Sequence, residues 1–221
     1  GVQSNVQNLP GLPVATPAES SRTASPALAE FSGINGLVSI FNTLRNDDLN
    51  GVVHAIRPNG TELPGWPLQP NIPADCVGNS LHWGTIASPV AVNLLGDSDP
   101  EIILNAANEF VVWNRSGQQL TAATGCPIPA GKLSLWSGSD AFYNTPAVAD
   151  IDGNTKLEVV GAGTNSAVPG HSGSYVTVYA WTFPTSTASA DNLDWPMFRG
   201  DRFNSGVYLP DRIFRDGFES P

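Results

Sequence analysis

Two stretches of this chain are one segment written twice. Ser88 to Ile103 (SPVAVNLLGDSDPEII) and Thr145 to Val160 (TPAVADIDGNTKLEVV) align without a gap at an offset of 57 residues. A repeat of this size is a supersecondary unit that cannot bury its apolar face alone and must stack on the next copy. Each copy reads as strand, polar turn, strand, with Gly96 or Gly153 where the turn needs a positive φ. A further strand follows each, Phe110 to Arg115 and Tyr175 to Trp181, both rich in β-branched and aromatic residues. A partial earlier copy is visible at Gly51 to Arg57, with Pro58-Asn59-Gly60 as its turn and Leu37 to Phe41 as the strand before it. Gly65-Trp66-Pro67 is echoed by Asp194-Trp195-Pro196.

Units of three or four short strands, repeated with turn signals, are propeller blades. The expected fold is therefore all-β: about three blades of short antiparallel strands over residues 33–208, forming an incomplete ring, since rings close with roughly four to eight blades. Composition agrees. The chain has 22 Gly and 19 Pro but only 14% charged residues, which opposes long helices. Residues 1–32 are rich in Pro, Ser, Ala and Thr without an apolar period and read as a disordered linker. Residues 209–221 read as a tail. The chain opens on Gly1, so it reads as a processed or truncated product. The net charge is -10 with no basic run, which argues against a nucleic-acid partner. No window has the length and apolarity of a membrane span.

The pattern Thr145-Pro146-x-x-Ala149-Asp150-x-Asp152-Gly153-x-x-x-x-Glu158-Val159-Val160, followed by an aromatic strand, resembles the FG-GAP/VCBS repeats of integrin-α-like propellers in bacterial extracellular proteins. The run GTELPGWP at 60–67 is similar to a blade-to-blade connector of that group, and DWPMFRGDRFNSGVY at 194–208 to its closing segment. The tail IFRDGFES at 213–220 resembles a C-terminal signature of exported gammaproteobacterial proteins. The resemblance covers roughly residues 50 to 220. It implies a secreted or cell-surface location in a bacterium.

Asp150, Asp152, Asn154, Lys156 and Glu158 stand at alternate positions around Gly153. Calcium takes about six to eight oxygen ligands, and a tight loop with oxygens at such spacing wraps it, Lys156 offering only its carbonyl. In the family this type of loop binds calcium. The alternative is an Asx-rich turn that caps a strand pair without metal. The first copy offers Asn93, Asp97, Asp99 and Glu101, but Leu95 occupies the place of Asp152, and leucine cannot ligate a hard cation. That loop is expected to be metal-free or weak.

Cys76 and Cys126 lie in the long loops before successive blades and, in an exported chain, are expected to pair as a disulfide. Trp83 and Trp136, in loops ahead of Thr- or Ser-rich turns, are the aromatics expected on an exposed binding face. Trp66 and Trp195 read as blade-junction packing, Trp113 and Trp181 as core or rim. His54, His82 and His171 are scattered without zinc-ligand spacing and read as solvated or turn histidines. Asn59 and Asn114 head formal glycosylation sequons that read as turns. There is no G-x-S-x-G elbow, and the stretch Gly125 to Lys132 fails as a phosphate loop. No catalytic residue is assigned. The expected function is a non-catalytic extracellular propeller module that binds protein or glycan and carries a calcium-stabilised turn. Two alternatives stay open: an accessory region of a secreted hydrolase or lyase whose catalytic part lies upstream, and a propeller that is itself a polysaccharide lyase.

Overall fold

The computed structural model describes residues 11, 20–45, 51–69, 87–106, 109–121, 133–135, 141–165, 175–189, 192–194 and 196–197. Its strands are β1 (Ser20–Thr23), β2 (Ala27–Ala29), β3 (Val38–Arg45), β4 (Gly51–Ile56), β5 (Val90–Val92), β6 (Glu101–Ala106), β7 (Glu109–Trp113), β8 (Ala141–Phe142), β9 (Ala147–Ala149), β10 (Leu157–Asn165) and β11 (Tyr175–Phe183). They form three antiparallel sheets: blade 1 from β1 to β4, blade 2 from β5 to β7, blade 3 from β8 to β11. The fold is all-β, a propeller-like row of three blades that does not close into a ring.

The repeat is exact at the level of register. Val90 pairs with Ile103, Ala91 with Ile102 and Val92 with Glu101. Fifty-seven residues on, Ala147 pairs with Val160, Val148 with Val159 and Ala149 with Glu158. Blade 1 holds a full third copy: Ala27 pairs with Ile40, Leu28 with Ser39 and Ala29 with Val38. The hairpin glycines Gly33, Gly96 and Gly153 sit at φ of 73°, 75° and 77°, a region that L side chains enter only with strain.

This third copy corrects the reading of residues 1–32 as linker. Both β1 and β2 lie inside that stretch, so the blades begin by Ser20, not at 33. The reason is burial supplied by context. Ala27 and Ala29 carry little strand or apolar signal alone, yet both are fully buried against blade 2.

Two apolar clusters hold the blades together. The first joins blade 1 (Ala27, Val38, Ile40, Val53, Ala55) to blade 2 (Ile102, Leu104, Val111, Trp113). The second joins the opposite face of blade 2 (Val90, Ile103, Phe110, Val112) to blade 3 (Phe142, Val148, Val159). Blade 2 is thus covered on both faces, which is why β6 and β7 are buried along their whole length. Buried Asn105 spans the second junction: its amide donates to the Phe142 carbonyl at 2.6 Å and its Oδ1 accepts the Ala87 N–H at 3.1 Å.

A short return segment completes the outer edge of two blades. Leu68 exchanges two 2.8 Å backbone hydrogen bonds with Val53 of β4, and Leu120 donates to Val112 of β7 at 2.8 Å. Gly65 and Gly117 let the return of blade 1 touch the turn of blade 2; a Cβ at Gly65 would lie 2.3 Å from the Ser116 carbonyl oxygen. There the buried Trp66 indole donates to the Arg115 carbonyl at 3.0 Å, in keeping with its reading as junction packing. Trp113 is core, 1% exposed.

The chain then comes back across all three blades. Asn192 accepts the Asn93 N–H at 2.9 Å, Asp194 accepts the Glu30 N–H at 2.9 Å, and Pro196 accepts the Val148 N–H at 2.8 Å. Glu30 and Asn93 are equivalent positions in successive copies, so Asn192, Asp194 and Pro196 act as a clasp across the three blades.

Candidate functional site

The turn between β9 and β10 brings acidic groups together. Asp150, Asp152 and Glu158 each present a ligand oxygen within 4.8 Å of the others. Asp150 directly follows β9, and its carboxylate organises the loop: Oδ1 accepts the N–H of Gly153 at 2.7 Å and of Asn154 at 3.1 Å, and Oδ2 accepts Thr155 N–H at 2.8 Å. Asp152 accepts the Asn154 N–H at 3.1 Å and its side-chain amide at 2.9 Å. Thr155 takes a positive φ of 67°, an uncommon state for a β-branched residue. Glu158, early in β10, is 2% exposed and reaches back to accept the Ile151 N–H at 3.0 Å through Oε2. Its second oxygen, Oε1, is buried with no hydrogen-bond partner among the described residues.

Of the five residues expected to hold calcium, three carboxylates therefore converge. Asn154 is engaged otherwise, its Oδ1 accepting the Lys156 N–H at 2.7 Å. The Lys156 ammonium donates to the Ser186 carbonyl at 2.8 Å, so it does not neutralise the cluster. Three like charges in one small loop, with a desolvated oxygen among them, suit a hard divalent cation with oxygen ligands.

The equivalent turn of blade 2 uses its residues differently. Asn93 Oδ1 accepts Gly96 N–H at 2.7 Å, and the Asn93 amide donates to the Asp97 carbonyl. Asp97 accepts the Asp99 N–H at 2.9 Å. Asp99 turns away to blade 1, accepting the Ser32 N–H at 2.6 Å and the Ser32 hydroxyl at 2.9 Å, with Arg115 3.4 Å from its other oxygen. Glu101, 1% exposed, accepts the N–H of Leu94 at 2.8 Å and of Leu95 at 3.1 Å through one oxygen. Burial pushes its carboxyl up to about 7, against the two amide bonds, with nearby Asp97 adding to the rise. Burial also raises Asp194 in the clasp to about 6, assisted by the Glu30 carboxylate.

One histidine corrects its sequence reading. His54 is neither solvated nor in a turn: it lies in β4, 2% exposed, stacked on Phe41 at 5.1 Å. Its Nδ1 is 2.6 Å from Glu62 Oε1, and Nε2 is 3.5 Å from Thr43 Oγ1. The order hydroxyl, imidazole, carboxylate has the look of a hydrolytic triad, but Thr43 and His54 are both buried beyond substrate reach. It packs and ties the sheet to the return segment. The clue in sequence was the alternation of Val52, His54 and Ile56 on one face of a strand. Asn59 and Asn114 build turns, accepting the N–H of Thr61 at 3.1 Å and of Gln118 at 3.0 Å.

Cys76, Cys126, Trp83, Trp136, His82 and His171 lie outside the described residues, as do Trp195 and the tail at 209–221. Among the described residues no helix is long and apolar enough to cross a membrane. Comparison of the chain with protein-family models, with curated proteins and with solved structures finds no match.

Proposed function

We propose that this chain is a non-catalytic, extracellular propeller module whose blade 3 turn binds calcium, and whose loops and faces bind protein or glycan. The observation that carries the metal part is the second oxygen of Glu158, buried without a partner among the described residues beside Asp150 and Asp152. An unsatisfied buried carboxylate oxygen costs roughly 1–3 kcal/mol or more, and a cation removes that cost. The binding part rests on architecture: a rigid sheet row leaves its connecting loops free to vary, and such loops carry recognition. The FG-GAP/VCBS resemblance supports both parts.

The test is thermal unfolding with and without calcium. Calcium at about 100 times its dissociation constant should stabilise by about 2.7 kcal/mol and raise Tm by roughly 5–10 °C. Magnesium should do little, because it demands a smaller octahedral site. Asp152→Ala should abolish the calcium shift while leaving the metal-free Tm close to that of the parent. A calcium-independent parent Tm, together with no heat on calcium titration, removes the metal. Turnover of any polysaccharide by the chain would remove the non-catalytic reading.

A further inference from the structure

Gly11 touches the turn of blade 1 in the way that Gly65 touches the turn of blade 2. The two glycines have φ of 87° and 91°. A Cβ on Gly11 would lie 2.1 Å from the Asn59 carbonyl oxygen, 2.7 Å from the Asn59 carbonyl carbon and 3.4 Å from Gly60 N. On Gly65 it would lie 2.3, 3.1 and 3.8 Å from the same three atoms of Ser116 and Gly117. The two turns are themselves equivalent: Gly60 at φ 81° donates to the Arg57 carbonyl at 2.9 Å, and Gly117 at φ 79° to the Asn114 carbonyl at 3.0 Å. Sequence repeats with the geometry. Leu9-Pro10-Gly11-Leu12-Pro13 and Leu63-Pro64-Gly65-Trp66-Pro67 differ at one position in five. Gly has a reason to recur there, since backbone lies against backbone and φ is positive.

We propose that Gly11 belongs to the return segment of a fourth copy of the repeat, and that the Asn59–Gly60 turn of blade 1 is the seat by which that copy joins the row. The occupant is a further blade of the same kind, set front to back ahead of blade 1 as blade 1 is set ahead of blade 2. The order of contacts selects it. Gly65 lies in the return of blade 1 and reaches forward onto the next blade's turn. Gly11 precedes every strand of blade 1 and reaches onto that blade's turn, so by the same rule its own blade is the one before. The back face of blade 1 is built to match. His54 and Ile56 hold the register positions of Val111 and Trp113, by which blade 2 meets blade 1, and both are buried. Neither the metal turn of blade 3 nor a bound partner takes part in this contact. One difference between the two connectors supplies a handle. The Trp66 indole donates to the Arg115 carbonyl at 3.0 Å, and the equivalents of these two residues are Leu12 and Pro58, so the seat on blade 1 lacks that bond.

Limited proteolysis of the whole chain with thermolysin, which cuts ahead of Leu and Val, reads release from the seat as the rate of cutting at Val14. Gly11→Ala cannot keep its Cβ beside the Asn59 carbonyl and should speed that cut by roughly 10-fold. Gly33→Ala is the control. Its φ of 73° is strained in the same sense, but nothing lies within 4 Å of its Cβ, so cutting at Val14 should stay at the parent rate. A gain is expected as well: Leu12→Trp should slow the cut severalfold relative to Leu12→Phe, because the indole alone can donate to the Pro58 carbonyl. A parent cut as fast as Gly11→Ala overturns the proposal, as does a Gly33→Ala chain cut equally fast. So does a Leu12→Trp chain cut no more slowly than Leu12→Phe, which would show that the two connectors are not equivalent.

Discussion

The turns of blades 2 and 3 share one backbone and do opposite things with their acids. In both, a glycine with positive φ closes the hairpin, and a buried glutamate from the following strand reaches back to the turn amides. In blade 2, Asn93 takes one loop amide and Glu101 takes two, and Leu95 stands where an acid stands in blade 3. That glutamate is the one burial pushes up to about 7, so it takes a proton more readily than an ordinary carboxylate. In blade 3, Asp150 takes three amides and leaves Glu158 only one, with Asp152 alongside and an oxygen to spare. Of the differences between the two turns, Asn93 to Asp150 and Leu95 to Asp152 move acids to the start of the loop, while Asp97 to Asn154 and Asp99 to Lys156 remove them from its end, so the carboxylates converge in blade 3 and not in blade 2.

The largest expected effect comes from the cores beneath those turns. Gly161 of β10 holds the register position that Leu104 holds in β6. A Cβ there would lie 2.2 Å from Phe110, whose ring is pinned by Phe142 at 4.4 Å and Trp181 at 6.0 Å. Gly161→Ala should therefore cost about 3 kcal/mol by overpacking, measured by urea unfolding. Leu104→Ala, in the sister position, should cost a similar amount for the opposite reason, a cavity. Equal tolerance of both would mean the two junctions are not packed as the register implies.

Next is the pH dependence of the blade 2 turn. Glu101 has a folded value above its ordinary 4.5, so its folded state holds the proton more tightly than the unfolded chain. The sign follows: that stabilisation is fully present below pH about 4.5 and is lost as pH rises toward and through about 7. Glu101→Gln keeps an oxygen for the two amides and removes the charge. It should stabilise at pH 8 by on the order of 2–3 kcal/mol, have little effect at pH 4, and flatten the profile between. Glu158→Gln should instead lose the calcium shift. If both variants respond alike to pH and calcium, the contrast between the turns fails.

Much of this was legible in the sequence, and the exceptions have physical causes. The 57-residue offset gave the hairpins and their register because Pro, Gly and Glu recur at places the backbone demands. The copy in blade 1 is fainter, although Ser25-Pro26-Ala27 and Gly33 stand 63 residues before Ser88-Pro89-Val90 and Gly96. There Ile34 and Asn35 replace the acidic turn, Val38 replaces the capping glutamate, and alanines do the packing, so only position and not chemistry repeats. The convergence of Asp150, Asp152 and Glu158 followed from alternate spacing; that Glu158 would keep a spare oxygen did not, since that depends on how many amides Asp150 captures first. The burial of His54 and the clasp at Asp194 join residues far apart in the chain or in the sheet, and nothing in local spacing announces them.

The smallest effect tests the rim. Where blade 1 meets blade 2, Asp99 holds Ser32, and Arg115 donates to the Ser32 hydroxyl at 2.8 Å. The equivalent position in blade 3 is Lys156, whose ammonium instead donates to the Ser186 carbonyl just after β11 of its own blade. Ser32 is exposed and Arg115 half-buried, and such surface contacts contribute roughly 0–1 kcal/mol. Arg115→Ala should thus cost no more than about 0.5 kcal/mol, less in high salt, while Asp99→Ala should cost about 1–2 kcal/mol because the Ser32 amide loses a charged acceptor. A double-mutant cycle separates the two. Coupling near zero would leave Arg115 as a bystander; a cost for Arg115→Ala that exceeds that for Asp99→Ala would show that the arginine, not the carboxylate, fastens blade 1 to blade 2.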